Sequence, residues 1–176
     1  MIKKGQVWVE TVLYTLIGLA LIGLVLAFVT PRINEARDRI TVDQTINSLN
    51  AVDEKINAVL DAPGNRRFVE FTMKRGEFFV SPENNEVRFV ISDLVKPYSE
   101  VGKEINVGRI TILSEEGQRA NIVSLTLSYD RIADLKYAGE ENERKFTAAS
   151  IPYRFSITNM GADGDFIRVN IEESTS

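Results

Sequence analysis

Chemistry in this chain has to be done without imidazole or thiolate, because its 176 residues include neither histidine nor cysteine. Disulfide frameworks, the usual zinc sites, cysteine nucleophiles and histidine-based triads are thereby excluded. Carboxylates remain. Glu115-Glu116 and Glu140-Glu141 are adjacent pairs, each beside a glycine, and read as solvated turn charges instead of paired catalytic acids. Asp163-Gly164-Asp165 has the Asp-x-Asp spacing of oxygen-ligand calcium sites but lacks the further ligands and the distal glutamate. Hairpin turn chemistry accounts for it. Gly102 and Gly108 are isolated, so no phosphate-cradling loop is expected, and no basic patch with interleaved aromatics suggests nucleic acid. No enzyme, no cofactor, no metal and no small-molecule substrate is expected.

One carboxylate stands apart. Lys3 and Lys4 are followed by Gly5 and Gln6, and from Gly5 through Pro31 the only charged side chain is Glu10. A carboxylate buried at bilayer depth costs about 2.5–3.5 kcal/mol, and less near the interface. Glu10 therefore either sits at headgroup level or takes a partner.

The element that must position it is a helix. The uncharged run from Thr11 to Pro31 supplies the roughly 20 residues that span a bilayer core of about 30 Å. Trp8 and Tyr14 suit interfacial anchors, and Gly23 with Ala27 forms a small-xxx-small pair that permits another helix to approach, or simply faces lipid. Basic residues flank the run on both sides (Lys3 and Lys4 before, Arg32, Arg37 and Arg39 after), so charge does not decide orientation. Pro31 should kink or stop the helix. Beyond it, Ile33, Ala36, Ile40, Ile46, Leu49, Ile56 and Leu60 recur at helical spacing, interrupted only at Asp53, where Val52 takes its place, with Arg32, Glu35, Arg37, Asp38, Arg39, Asp43, Glu54 and Lys55 off the stripe. The pattern predicts one long helix from Gln6 to Asp61, kinked at Pro31. Its 6–31 part is apolar and its 32–61 part amphipathic; residues 1–5 are too short to fold, and Ala62-Pro63-Gly64-Asn65 ends it.

From Arg66 the period changes to two. Val69, Phe71 and Met73 alternate with polar residues, and strands are expected at 78–80, 87–92, 109–113, 121–129, 132–137, 146–158 and 166–171, separated by turn chemistry every 8–12 residues or so. Leu94 to Asn106, with Pro97 and Gly102, reads as a loop or an edge excursion. The expected fold class is α+β: the long helix followed, over residues 66–173, by an antiparallel β-sandwich of about seven to nine strands. About 110 residues suffice for a core without disulfides.

In its order, Lys3-Lys4-Gly5-Gln6, then Glu10, then a long apolar helix resembles the class III signal peptide of archaeal type IV pilins and archaellins. The resemblance covers about 25 residues. It implies a leader of residues 1–5, a cut between Gly5 and Gln6 by a prepilin peptidase with Lys4, Gly5 and Gln6 as processing residues, and retention of the helix as the core of a filament. It also implies that Gln6 and Glu10 act in assembly, Glu10 being neutralised by a neighbour's terminal amine. A terminal glutamine can cyclise and lose that charge. Loss of the leader would leave 19 basic against 25 acidic groups, a formal charge of −6 before the new terminus is counted. The implied partners are further copies of the chain, the peptidase and, before assembly, membrane lipid. The β-domain would lie outside the membrane, at the cell surface or in an extracellular filament serving adhesion. None of the twelve asparagines begins an Asn-x-Ser/Thr sequon, a departure from the many N-glycosylated subunits of this type. That weakens the case for a heavily decorated major subunit.

Two other readings compete. Val25-Leu26-Ala27 would suit an ordinary signal peptidase, giving a secreted domain that starts at Phe28, although the run is long for such a signal. A single-pass surface domain that never polymerises, stator-like or in contact with an S-layer, would use the same helix and sandwich.

Overall fold

The computed structural model describes residues 3–174, with side chains throughout except those of residues 3–6 and 163. Its first element, α1 (Lys3–Leu60), is 58 residues long, about 87 Å at 1.5 Å per residue. It starts three residues before the expected Gln6, so the backbone of Lys3, Lys4 and Gly5 is already helical. Pro31 lies inside the helix and does not end it. Proline has no N–H to give the carbonyl four residues back. The adjacent Thr30 hydroxyl donates to Leu26 O at 2.7 Å, and Thr11 and Thr15 make the same bond to Val7 O and Thr11 O.

Only the second half of α1 is covered. Val42, Ile46, Leu49, Val52, Ile56 and Val59 are buried at helical spacing and enter the main core. The expected stripe is corrected here in extent. Ile33 and Ile40 are 45% and 54% exposed and Ala36 is exposed; Val52 is buried in place of Asp53, as expected, and Val59 is buried beside Leu60, which packs against the same core. Ile33 precedes the first ties of the sandwich to the helix, at Glu35 and Asp38, while Ala36 and Ile40 lie about 160° around the helix from Asp38, on the side turned away from the sandwich.

Ten strands follow: β1 (Arg66–Phe71), β2 (Glu77–Ser81), β3 (Glu86–Leu94), β4 (Glu104–Val107), β5 (Ile110–Glu116), β6 (Asn121–Ser128), β7 (Ala133–Tyr137), β8 (Arg144–Thr147), β9 (Tyr153–Asp163) and β10 (Phe166–Glu173). They form a four-stranded sheet in the order β1-β9-β10-β7 and a six-stranded sheet in the order β4-β5-β6-β3-β2-β8. Pairing is antiparallel except between β10 and β7, which run parallel. The α+β architecture is as expected, with three differences of detail. β4 begins in the stretch read as a loop or an edge excursion, and is an edge strand pairing only with β5. The segment 146–158 is two strands in different sheets, parted at Ala148–Pro152. The parallel pair arises because β7 and β10 are joined through β8 and β9 and not by a hairpin.

Alternation places Phe71, Phe78, Phe89, Phe146 and Phe155 on inner faces, where their rings meet at centroid distances from 4.7 to 6.5 Å. Gly76 is required beside them. Its φ is +94°, and a Cβ there would lie 2.5 Å from the Phe89 ring and 2.7 Å from Val90 O.

Candidate functional site

Residues 7–31 form the candidate site: an apolar helical rod that no other part of the fold touches. Trp8, Tyr14 and Phe28 are exposed, as are the leucines and valines between them, and nothing lies within 4 Å of where a Cβ on Gly18 or Gly23 would be. This is the one helix, among the described residues, long and apolar enough to cross a membrane. Glu10 is exposed on it. The side chains of Lys4, Gln6 and their neighbours at 3–6 lie outside the described residues, so the structure places only the backbone of the expected processing site, as the first turn of α1.

What positions the rod is a set of polar ties further along the same helix. Asp38 uses both carboxylate oxygens: Oδ1 accepts from Arg75 Nη1 at 2.6 Å and Oδ2 from the Val95 N–H at 2.7 Å. The same guanidinium donates to Ser92 O and Asp93 O, closing the end of β3, where Asp93 takes φ +60°. One turn earlier Lys96 Nζ meets Glu35 at 2.9 Å, and this hydrogen bond is the main reason the Glu35 carboxyl is held below its ordinary pKa. One turn later Tyr98 donates to Asp43 at 3.0 Å, and burial followed by that bond raises the Tyr98 hydroxyl.

About two turns before the end of α1, Asp53 accepts from Arg109 Nη1 at 2.6 Å and from the hydroxyl of Tyr129 at 2.9 Å, while the Arg109 guanidinium lies 5.1 Å from the Tyr129 ring centre. Tyr129 is completely buried, and its pKa is driven far up by burial first and by the Asp53 charge second. At the helix end Asn159, buried on β9, donates from Nδ2 to Val59 O at 2.8 Å and accepts the Gly161 N–H at its Oδ1. Its backbone exchanges bonds with Gly64 and Asn65 just past the helix. Terminal carbonyls are thereby satisfied by a side chain. These ties hold the covered half of α1 at three levels, to β9 and to the segments that adjoin β1, β3, β5 and β6.

The remaining acidic candidates are not brought together. Glu115 and Glu116 are exposed at the end of β5, and Glu141 is held by Lys136 at 2.7 Å, which lowers the carboxyl and raises the amine. Gly164-Asp165 is the two-residue turn between β9 and β10, with Gly164 at φ +66°, as hairpin chemistry requires; the Asp163 side chain lies outside the described residues. Among the described residues no group of three or more metal-ligating side chains converges. Sequence reasoning missed Asp38, Arg75, Arg109, Tyr129 and Asn159 as tie residues. Asp53 carried a signal, as the only interruption of an apolar stripe.

No protein-family model, curated protein or solved structure matches the chain.

Proposed function

We propose that this chain is a pilin-like structural subunit: a membrane-held precursor cut between Gly5 and Gln6, whose helix then packs with those of other copies as the core of an extracellular filament for surface attachment. The observation that carries the reading is the unbroken helix with one naked apolar half and one half built into the sandwich core. A rod of this kind needs lipid or copies of itself to cover it, and van der Waals packing at Gly23 and Ala27 suits the second. Glu10 fits an assembly role because a lone carboxylate among packed apolar helices is costly unless a neighbour's amine neutralises it.

The reading is tested in the cell that makes the protein, by shearing the surface and sequencing the N-terminus of the chain in the released material. Filaments whose subunit begins at Gln6, open or cyclised, are expected. A chain that stays in the membrane with Met1 intact, or that begins at Phe28, 22 residues further on, overturns it. The non-polymerising surface domain shares the same helix and sandwich, and is the outcome if processing occurs but the mature chain never leaves the membrane.

A further inference from the structure

The second half of α1 carries four cations: Arg32, Arg37, Arg39 and Lys55. Arg32 is paired with Glu35 and Lys55 with Glu54, and the Arg39 guanidinium lies 5.8 Å from the centre of the Tyr98 ring. Arg37 differs from these three. It is exposed, and among the described residues no acid, carbonyl or ring engages its side chain. It also borders the apolar residues that the sandwich leaves bare. At about 100° per residue, Arg37 lies about 40° around the helix from Ile33 and about 60° from Ile40, and Ala36 completes the same uncovered side.

The rod carries a complementary set. Val7, Glu10, Tyr14 and Ile17 follow one another at spacings of three and four, an exposed row on one helix face in which Glu10 is the one charge. The two sets share a register. Val7 and Tyr14 are seven residues apart and frame Glu10, while Ile33 and Ile40 are seven apart and frame Ala36 and Arg37. Two parallel helices laid with Val7 level with Ile33 and Tyr14 level with Ile40 are offset by 26 residues at both points, about 39 Å along the axis. Glu10 then stands level with Ala36, whose small side chain leaves space, and the Arg37 guanidinium is one residue further on.

The extent of the sandwich independently gives the same stagger. Its ties to the helix begin at Glu35 and end at Val59 and Leu60. After a displacement of 26 residues, Glu35 of the second copy is level with Asp61 of the first, just past the end of α1. The tied lengths of the two copies therefore follow each other along the axis without overlap.

We propose that the face of Ile33, Arg37 and Ile40 is a docking surface for the first turns of another copy's rod, with Glu10 paired to Arg37 and with Val7 and Tyr14 packed on Ile33 and Ile40. This rests on the pilin-like reading above and names the cation that Glu10 uses, because the amine of a cyclised Gln6 carries no charge. A carboxylate packed among apolar helices needs such a partner, and a guanidinium stays charged throughout the pH range of a cell's surroundings. The contact joins different surfaces of two copies, so it propagates along a filament instead of closing on itself.

The test uses the full chain in the cell that makes it. Arg37→Glu and Glu10→Arg should each lower the yield of sheared filaments by roughly tenfold or more, and the double variant should recover most of that loss. Arg37 has no described bond to the sandwich, so the melting temperature should not move, and an N-terminus still at Gln6 separates lost assembly from lost processing. Arg37→Glu filaments at wild-type yield, or a double variant no better than Glu10→Arg alone, overturn the pairing. The stagger is read by cross-linking, since the chain has no cysteine of its own. Oxidised filaments carrying both Tyr14→Cys and Ile40→Cys should run as a ladder of multimers under denaturing conditions, while either single variant stays monomeric. Dimers from Tyr14→Cys alone would put the rods level with each other and overturn the stagger. Filaments that form with neither the ladder nor any dependence on Arg37 remove the docking face and leave the pilin-like reading standing. A wild-type chain that forms no filaments removes both.

Discussion

Asp53 is the residue on which the anchorage of the last turns of α1 against Arg109 and Tyr129 converges. It is a largely buried carboxylate serving one guanidinium and one buried phenol, so removing it strands both partners at once. Asp53→Ala should cost about 2–3 kcal/mol, less than a fully buried pair would because Arg109 is about a third exposed. Tyr129→Phe should cost about 1.5 kcal/mol, since it removes one bond to a charged acceptor and leaves Arg109 in place. Urea unfolding of the two single variants and the double variant should show strong non-additivity, because both act through one carboxylate; simple addition would mean the three side chains are not coupled. Glu86, on the outer face of β3, makes a contrary prediction. Burial is the main cause that raises its carboxyl, Arg88 opposes it, and Glu143 adds to it. The native state thus holds this proton at higher pH than the unfolded chain, so the Glu86 contribution to stability grows as pH falls through the raised value and is complete below the ordinary carboxyl pKa. Glu86→Gln should therefore raise the melting temperature slightly at pH 7 and not at pH 4. A variant equally shifted at both would rule out ionisation as the cause. Asp53 was visible beforehand as a charge inside an apolar series; Asp38 was not, because it looked like any solvated charge until the segments after β1 and β3 brought Arg75 and the Val95 N–H against it.

Elements show the same division between local and non-local causes. The long helix was legible because hydrophobic length and spacing are local. Its buried face was read with Val52 in place of Asp53, and Val52 is buried; Val59 was passed over for Leu60, because two adjacent apolar residues fit either phase until the sandwich selects one, and Leu60 still packs against the core. Strand alternation put Val69, Phe71 and Met73 on one face, and all three are buried. The break at 148–152 was missed although Phe146 and Phe155, both buried and an odd number of residues apart, cannot share one face of a single strand and Pro152 lies between them; the pairing of β8 with β2 and β9 with β1 separates the two. Two substitutions test how elements are joined. Asn159→Ala leaves the Val59 carbonyl buried without its donor and frees the Gly161 N–H, and should lower stability by about 2 kcal/mol in thermal unfolding. Gly76→Ala forces a left-handed backbone on alanine, worth about 1–2 kcal/mol, and drives its Cβ into Phe89, so the loss should exceed that figure. A loss no larger than the backbone cost would show that the Phe89 ring moves aside freely.

At the scale of the whole molecule, the continuous helix makes the azimuth of the spanning rod a property of the sandwich. Each residue added between them turns one relative to the other by about 100° and lifts it by about 1.5 Å. A filament subunit uses both surfaces in contacts with its neighbours and is sensitive to that angle; a lone membrane-anchored domain is not. Inserting one alanine after Arg32, beyond Pro31 and before the ties at Glu35 and Asp38, leaves all described anchorage of the sandwich intact and should leave its melting temperature unchanged. Assembly should be lost nonetheless. Inserting seven alanines returns the azimuth to within about 20° while lifting the domain about 10 Å. Sheared filaments from cells carrying each variant separate the cases: recovery with seven residues and not with one is expected if orientation governs packing. Loss with both would mean that height along the axis matters as much as angle, since the outer domains of neighbouring copies then no longer meet at the level of the packed rods. Wild-type yields with both would mean the sandwich takes no oriented part in assembly, leaving the rod alone, with Glu10 and the Gly23 and Ala27 face, to hold copies together.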